Sequence, residues 1–367
     1  MKTAIITFHF VNNFGGALQA YALQETVRKE CGSDVLIIDY RNLFITFTDL
    51  VRLFPITGNF REILSGLGSM GERFGRIRGF RTFRKNRMVL SPTRFGELAL
   101  KADPPEADVY ICGSDQIWNP FLTFGLRGPY FLDFVKDHCR RIAYAPSFGN
   151  GTIPSYFHPA IKKHLEKFDA LSVRERTGIQ LVKELTGRNA DQLIDPTFLL
   201  TKEEWEKIAV PPDIQEPYLL LYIMQSDERM FSYARKLKER LKIPVVEISR
   251  YGYRPDFVDR TLVDVSPEEF LGLFQHAAYI CTNSYHGFIF SLIFEKPFCL
   301  IPSKRFRARI YNLAELLSME IREATPETVE DTVYDRKMVK NVISAERQRA
   351  VRWLKEKSSL NDRQELS

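Results

Sequence analysis

Residues Tyr279–Phe294 read YICTNSYHGFIFSLIF. Tyr279–Thr282 is a short apolar run of strand length, Asn283–Gly287 is a tight polar turn, and His286–Phe294 is an apolar run of helix length. A buried strand that turns directly into a buried helix is the repeating unit of a parallel, doubly wound sheet. His286 falls where the helix starts, beyond the carboxyl end of the strand. A helix start presents unpaired N–H groups and a positive dipole end, which favour anions. An imidazole there can donate to an oxyanion or move a proton near neutral pH. The competing reading is a structural His that caps its own helix.

The alternation continues on both sides. Phe298–Ile301, Tyr218–Met224 and Val245–Ile248 read as strands, and Glu228–Leu241 and Ser266–Gln275 as helices. Ser266 stands as N-cap, with Pro267 at the first helical position and Glu269 in the capping-box position. Ala4–Phe8, Val35–Asp39, Asp108–Cys112, Arg141–Ala145 and Ala170–Val173 supply strands for a first half. Its helices are Ala17–Lys29, Ile161–Phe168 and Thr177–Leu185, followed by Thr201–Ile208 with the box pair Thr201 and Glu204. Pro211, Pro212 and Pro217 mark a linker at 209–217. The predicted class is α/β, with two Rossmann-like doubly wound domains, 1–210 and 217–335, facing across a cleft. A basic amphipathic helix, 338–358, closes the chain. Residues 44–101, rich in Phe, Gly and Arg, read as a helical insertion in the first domain.

Length and composition agree with that organisation. The 367 residues exceed what one core usually serves, and 44% apolar with 27% charged residues is ordinary for a globular chain. No apolar run is long enough to span a bilayer. The opening MKTAIITFHF lacks a following small-residue cleavage site, so it reads as a first strand and not a signal peptide. Five cysteines with no CxxC pair argue against a disulfide framework or a zinc knuckle and suit a reducing cytoplasm. The net charge of +6 is concentrated: between Arg61 and Arg94, nine Lys or Arg residues stand against Glu62 and Glu72. That segment either meets an anionic partner, such as a membrane surface or a lipid-linked diphosphate, or is a solvated face. Nucleic acid is disfavoured, because the excess is confined and no binding motif accompanies it.

In doubly wound sheets ligands bind beyond the carboxyl ends of strands, so the polar turns there are the candidate site. Gly113–Pro120 offers Asp115, Gln116 and the aromatic face of Trp118, or else is a well-capped turn. Asn12–Gly16 offers Asn13, Gly15 and Gly16 but is not the GxGxxG fingerprint. In Ser172–Arg176, Arg174 and Arg176 flank Glu175 and could grip a carboxylate or phosphate, or pair with that Glu on a helix start. Asn283, Ser284 and His286 form the turn already described. Ser303–Arg309, with Lys304 and Arg305, is a phosphate grip or a solvated loop. HExxH, GxSxG and P-loop patterns are absent, and neither a metal nor a cofactor is expected.

Taken in order, these turns resemble the polysaccharide pyruvyl transferase family. The carrying residues are Asn13–Ala20, Gly113–Asn119, Ala143–Gly149, Ser172–Glu175, Asp195–Phe198 and Thr282–Gly287, spread over roughly residues 3–315. The resemblance implies two Rossmann-type domains arranged as in GT-B glycosyltransferases. It also implies transfer of pyruvate from phosphoenolpyruvate, the donor substrate, onto two hydroxyls of a sugar or lipid-linked oligosaccharide as a cyclic ketal. The Arg of a Ser-x-Arg motif and the His before Gly contribute to the donor site in that family, which points to Arg174 and His286. The acceptor is expected on the N-terminal domain, with Asp115 engaging or deprotonating the sugar, and the donor on the C-terminal one. Many members carry Arg two residues before the His. Here that residue is Ser284, and Lys304, Arg305 or Arg176 are the candidates to supply the cation. The alternatives are a GT-B-like glycosyltransferase using a nucleotide sugar, and a non-catalytic sugar-binding member. The expected location is cytoplasmic, with peripheral contact at the inner face of a membrane through Arg61–Arg94.

Overall fold

A computed structural model describes residues 1–51, 70–149, 152–249, 255–303, 307–321 and 332–360. The chain divides into two compact units. The first holds residues 1–48, 84–200 and 342–367, and the second 49–83 and 201–341.

The first unit is built on β1 (Lys2–Ile6), α1 (Phe14–Glu30), β2 (Asp34–Tyr40), α2 (Leu43–Val51), the end of α3 (Met70–Arg87), β3 (Leu90–Phe95) and α4 (Glu97–Ala102). It continues through β4 (Val109–Cys112), β5 (Arg140–Ala143), α5 (His158–Leu165), β6 (Ala170–Val173), α6 (Arg176–Thr186) and β7 (Asp191–Gln192). The seven strands are parallel in the order β3-β2-β1-β4-β5-β6-β7. The central strands are buried on both faces, which is why they read as unbroken apolar runs. α1 starts at Asn13, whose side chain accepts from Gly16 N, and ends with Arg28 and Lys29 in its last turn. α6 turns its stripe of Gly178, Leu181 and Val182 inward and stops at Gly187, which adopts a left-handed conformation.

The second unit contains α7 (Lys202–Glu206), β8 (Leu219–Tyr222), α8 (Glu228–Leu241), β9 (Val245–Ile248), β10 (Arg260–Leu262) and α9 (Pro267–His276). It then runs through β11 (Tyr279–Thr282), α10 (Tyr285–Ile293), β12 (Phe298–Leu300), α11 (Arg307–Leu316) and the start of α12 (Arg336–Ser358). Its five parallel strands have the order β10-β9-β8-β11-β12. Both expected capping boxes are formed, Thr201 with Glu204 and Ser266 with Glu269.

The units differ in extent from the sequence expectation. The chain leaves the first unit after Leu200, and the proline-marked segment packs on the second, where Val210 N donates to Glu268 O at 2.9 Å. The stretch 44–101 is not only an insertion, since it carries β3 of the first sheet and most of α4, and its residues 49–83 group with the second unit. On α3, Phe80 and Phe83 are buried while Arg78, Arg81 and Lys85 are exposed; Arg61 and Glu62 lie outside the described residues. From Val342, α12 returns to the first unit. There Arg347 Nε donates to Phe198 O at 2.6 Å and Trp353 Nε1 to Asp191 Oδ2 at 2.7 Å.

All five cysteines are free thiols. Among the described residues, no helix is long and apolar enough to cross a membrane.

Candidate active site

In each sheet the strand order reverses once, between β1 and β4 and between β8 and β11. Such switch points open a crevice at the carboxyl ends, where ligands bind. Both switch points here are closed by side chain to backbone hydrogen bonds.

In the first unit, Thr7 Oγ1 donates to Ser114 O at 3.0 Å, and Ser114 N donates to Gln19 Oε1 at 3.2 Å. Gln19 Nε2 donates to Thr7 Oγ1, Phe8 O and Gly16 O. One buried glutamine on α1 thus ties the loop after β1 to the loop after β4. Gly113 begins the second loop with φ +120°, and a Cβ there would collide with Tyr144 O. Asp115 is half-buried with φ +67°. Its Oδ1 accepts from Gln116 N at 2.8 Å, and its Oδ2 lies 3.7 Å from where a Cβ on Gly16 would sit. Asp115, Gln116 and Gly16 therefore meet at this switch point, with Asn13 capping the helix that carries Gly15 and Gly16. Trp118 does not join them. It is fully buried, donates to Tyr130 O at 2.9 Å and stacks on Phe131, so it packs the core and offers no face to a ligand.

Arg174, buried, directly follows β6. Its Nη2 lies 3.0 Å from Asp195 Oδ2 and donates to Ser114 Oγ at 2.5 Å. Asp195, fully buried, also accepts from Thr197 N and Thr197 Oγ1. The Arg174 guanidinium is thus matched by a carboxylate and braces the loop that carries Asp115. Arg176, at the first position of α6, is exposed.

His9 gave no sequence signal, because it lies within the apolar run ITFHF. It is fully buried between Thr7 O, 3.1 Å from Nδ1, and Asp39 Oδ1, 3.1 Å from Nε2. Burial pushes the Asp39 carboxyl up, but hydrogen bonds from His9 and Arg41 outweigh it and hold the group well below its ordinary range.

In the second unit, Thr282 Oγ1 donates to Tyr222 O at 2.6 Å, and Ser284 N donates back to Thr282 Oγ1 at 3.1 Å. Asn283, fully buried, accepts from Met224 N and donates to Gln225 O, both at 2.7 Å. Ser284 is the N-cap of α10 and accepts from Gly287 N at 3.3 Å. A Cβ on Gly287 would collide with Thr282 Oγ1, so only glycine lets the helix start this close to its strand. His286 follows as the second residue of α10, its ring edge-on to Tyr285 with centroids 5.2 Å apart. Behind Tyr285 stands Arg309 of α11, buried, with its guanidinium 5.2 Å from the ring centroid. Among its described residues, the basic run 303–309 turns Arg309 inward and leaves Arg307 exposed. Lys304 and Arg305 lie outside the described residues.

Glu247, buried in β9, accepts from the Thr261 hydroxyl at 3.5 Å. Burial pushes its carboxyl up from 4.5 to about 7. Below 4.5 folded and unfolded chains both hold the proton. Between 4.5 and about 7 only the folded chain does, so stability falls as pH rises, by on the order of 3 kcal/mol in full. Glu247→Gln is expected to raise the thermal midpoint at pH 8 and flatten its slope from pH 5 to 8; an unchanged slope would show that the carboxyl titrates normally.

Among the described residues, no cluster of His, Cys, Asp or Glu could hold a metal ion.

Two parallel α/β units, each with a polar turn at its switch point, place the chain in the GT-B fold class. The chain belongs to the polysaccharide pyruvyl transferase family, a family of transferases, whose model matches residues 13–305. It is similar in structure to the S. aureus MnaA–UDP co-structure, with 11% identity, TM-score 0.50, and 98% of this chain and 92% of that chain covered. UDP-GlcNAc 2-epimerase from Methanocaldococcus jannaschii is also similar, with 11% identity, TM-score 0.45, and 94% and 92% covered. At this identity the first likeness speaks to fold alone. A comparison with curated protein sequences finds no match.

Proposed function

We propose that this chain transfers the pyruvyl group of phosphoenolpyruvate onto two hydroxyls of a sugar in a polysaccharide or its lipid-linked precursor. The observation that carries the reading is the α10 turn. It combines a helix N-terminus at a switch point, His286 in the first turn, and a buried Arg309 behind Tyr285. Phosphoenolpyruvate carries a phosphate and a carboxylate, and this is the chemistry that recognises anions. Arg309 answers the absence of Arg at Ser284, a position here occupied by the helix cap.

In the reaction both sugar oxygens bond to C2 of the donor, and the C2–O bond to phosphate breaks. One hydroxyl proton ends on the former methylene, now methyl, and the other leaves on phosphate. His286 supports the departing phosphate or delivers the proton, and Asp115 engages the sugar hydroxyls. Arg174 acts through Ser114 to hold the Asp115 loop, since drawing its guanidinium to substrate would strand Asp195. Peripheral membrane contact through Arg61–Arg94 belongs to the same proposal, supported by the exposed Arg78, Arg81 and Lys85.

Thermal shift separates the donors. Phosphoenolpyruvate is expected to raise the midpoint of the wild type, and less so that of Arg309→Met. Stabilisation by a nucleotide sugar and not by phosphoenolpyruvate would replace this reading with glycosyl transfer.

A further inference from the structure

α2 leaves an apolar face uncovered. Leu43, Phe44 and Phe47 are 79%, 56% and 64% exposed, and positions three and four apart share a helix face. Phe44 stacks on Phe124, with ring centroids 6.0 Å apart. Phe124 is itself 46% exposed, and Phe121 on the same turn 65%. Asn42 Nδ2 donates to Thr123 O at 3.1 Å and ties the start of α2 to that turn. Arg127 braces the turn by donating to Thr123 O at 3.0 Å and Phe124 O at 2.5 Å, and lies 5.2 Å from the Phe44 ring centroid. The Phe44–Phe124 pair held in this way, with Leu43 and Phe47 on the same helix and Phe121 on the same turn also exposed, differs from singly scattered surface hydrophobics.

Two further observations choose the occupant. The first is charge. Arg127 lies over the Phe44 ring, and Arg41, which shares the Asp39 carboxylate with Arg94, stands two residues before α2, with Asp49 farther along the helix. The chain then runs into the basic segment Arg61–Arg94. The second is place. The Phe121–Phe124 turn continues the Asp115 loop, because Asn119 Nδ2 donates to Gln116 Oε1 at 3.1 Å. Exposed phenylalanines with arginines at the base of their helix and turn suit the boundary of an anionic bilayer, where rings enter the acyl edge and guanidinium groups meet headgroup phosphates.

We propose that the Leu43–Phe44–Phe47–Phe121–Phe124 cluster docks this chain on an anionic lipid surface, and so presents the Asp115 loop to a saccharide held there. The docking stands alone, whereas the presentation rests on the sugar role proposed for Asp115.

The test is flotation of the full chain with phosphatidylcholine vesicles, with and without phosphatidylglycerol. Wild type is expected to float with the anionic vesicles. L43S/F47S and, separately, F121S are expected to lose binding by roughly tenfold or more, with unchanged thermal midpoint and unchanged transfer to a soluble saccharide. Wild type that stays with the unbound fraction, or variants that float like wild type, would overturn the docking. So would a wild-type dimer, seen by sedimentation velocity, that these variants turn into monomer. Wild type that floats but transfers nothing to the soluble saccharide would remove the enzymatic reading and leave the docking in place.

Discussion

His286→Ala is expected to lower kcat/KM for pyruvyl transfer by about 10²–10⁴-fold, the usual contribution of a positioned acid or base. The size follows from where the imidazole sits. It is the second residue of α10, nine-tenths buried, on a turn fixed by Asn283, Thr282 and the Ser284 cap. A group held this firmly loses little order in the transition state, so its removal takes away chemistry rather than shape. The thermal midpoint should stay within a few degrees, because the turn is held by its neighbours. Ser284→Ala is the contrasting variant. It removes the N-cap, at about 1 kcal/mol of stability, and should spare most of the activity. Full transfer by His286→Ala would take His286 out of the mechanism.

Asp195→Ala is expected to cause the largest loss of stability, about 3–5 kcal/mol, the range for stranding one partner of a buried ion pair. Arg174 would then hold its charge in the interior at the ends of β4, β5 and β6, and the turn at Pro196–Phe198 would lose its cap. A drop in the thermal midpoint on the order of 10 °C is expected. Arg174→Met/Asp195→Leu should recover a good part of it, because replacing both charges avoids the stranded guanidinium. A midpoint for Asp195→Ala close to that of wild type would show that the pair does not hold this loop.

The inner strands and the long helices were legible in the sequence because burial on both faces leaves unbroken apolar runs. Tyr279–Thr282, Val245–Ile248 and Glu228–Leu241 match their predicted bounds residue for residue. β3, β7 and β10 were not legible. They lie at sheet edges, and LSPTRF, DQ and RTL carry polar residues where half the strand meets solvent. Nor does local pattern show which unit a crossover packs against, so residues 49–83 and the return of α12 needed the fold. In the site, the turns were legible as turns, since Gly and short polar residues after a strand have few other uses. The partners of Trp118, Arg174 and Arg309 were not. An indole in the core, a guanidinium matched by Asp195 and a cation behind Tyr285 are long-range contacts that no spacing encodes.

The central claim is tested most directly by incubating the full chain with phosphoenolpyruvate and a soluble acceptor saccharide, reading phosphate release and acceptor mass together. The expected result is one phosphate released for each acceptor that gains one pyruvic acid less one water, with both signals lost in His286→Ala. Phosphate release without the mass gain, or a glycosyl gain from a nucleotide sugar in its place, would contradict pyruvyl transfer.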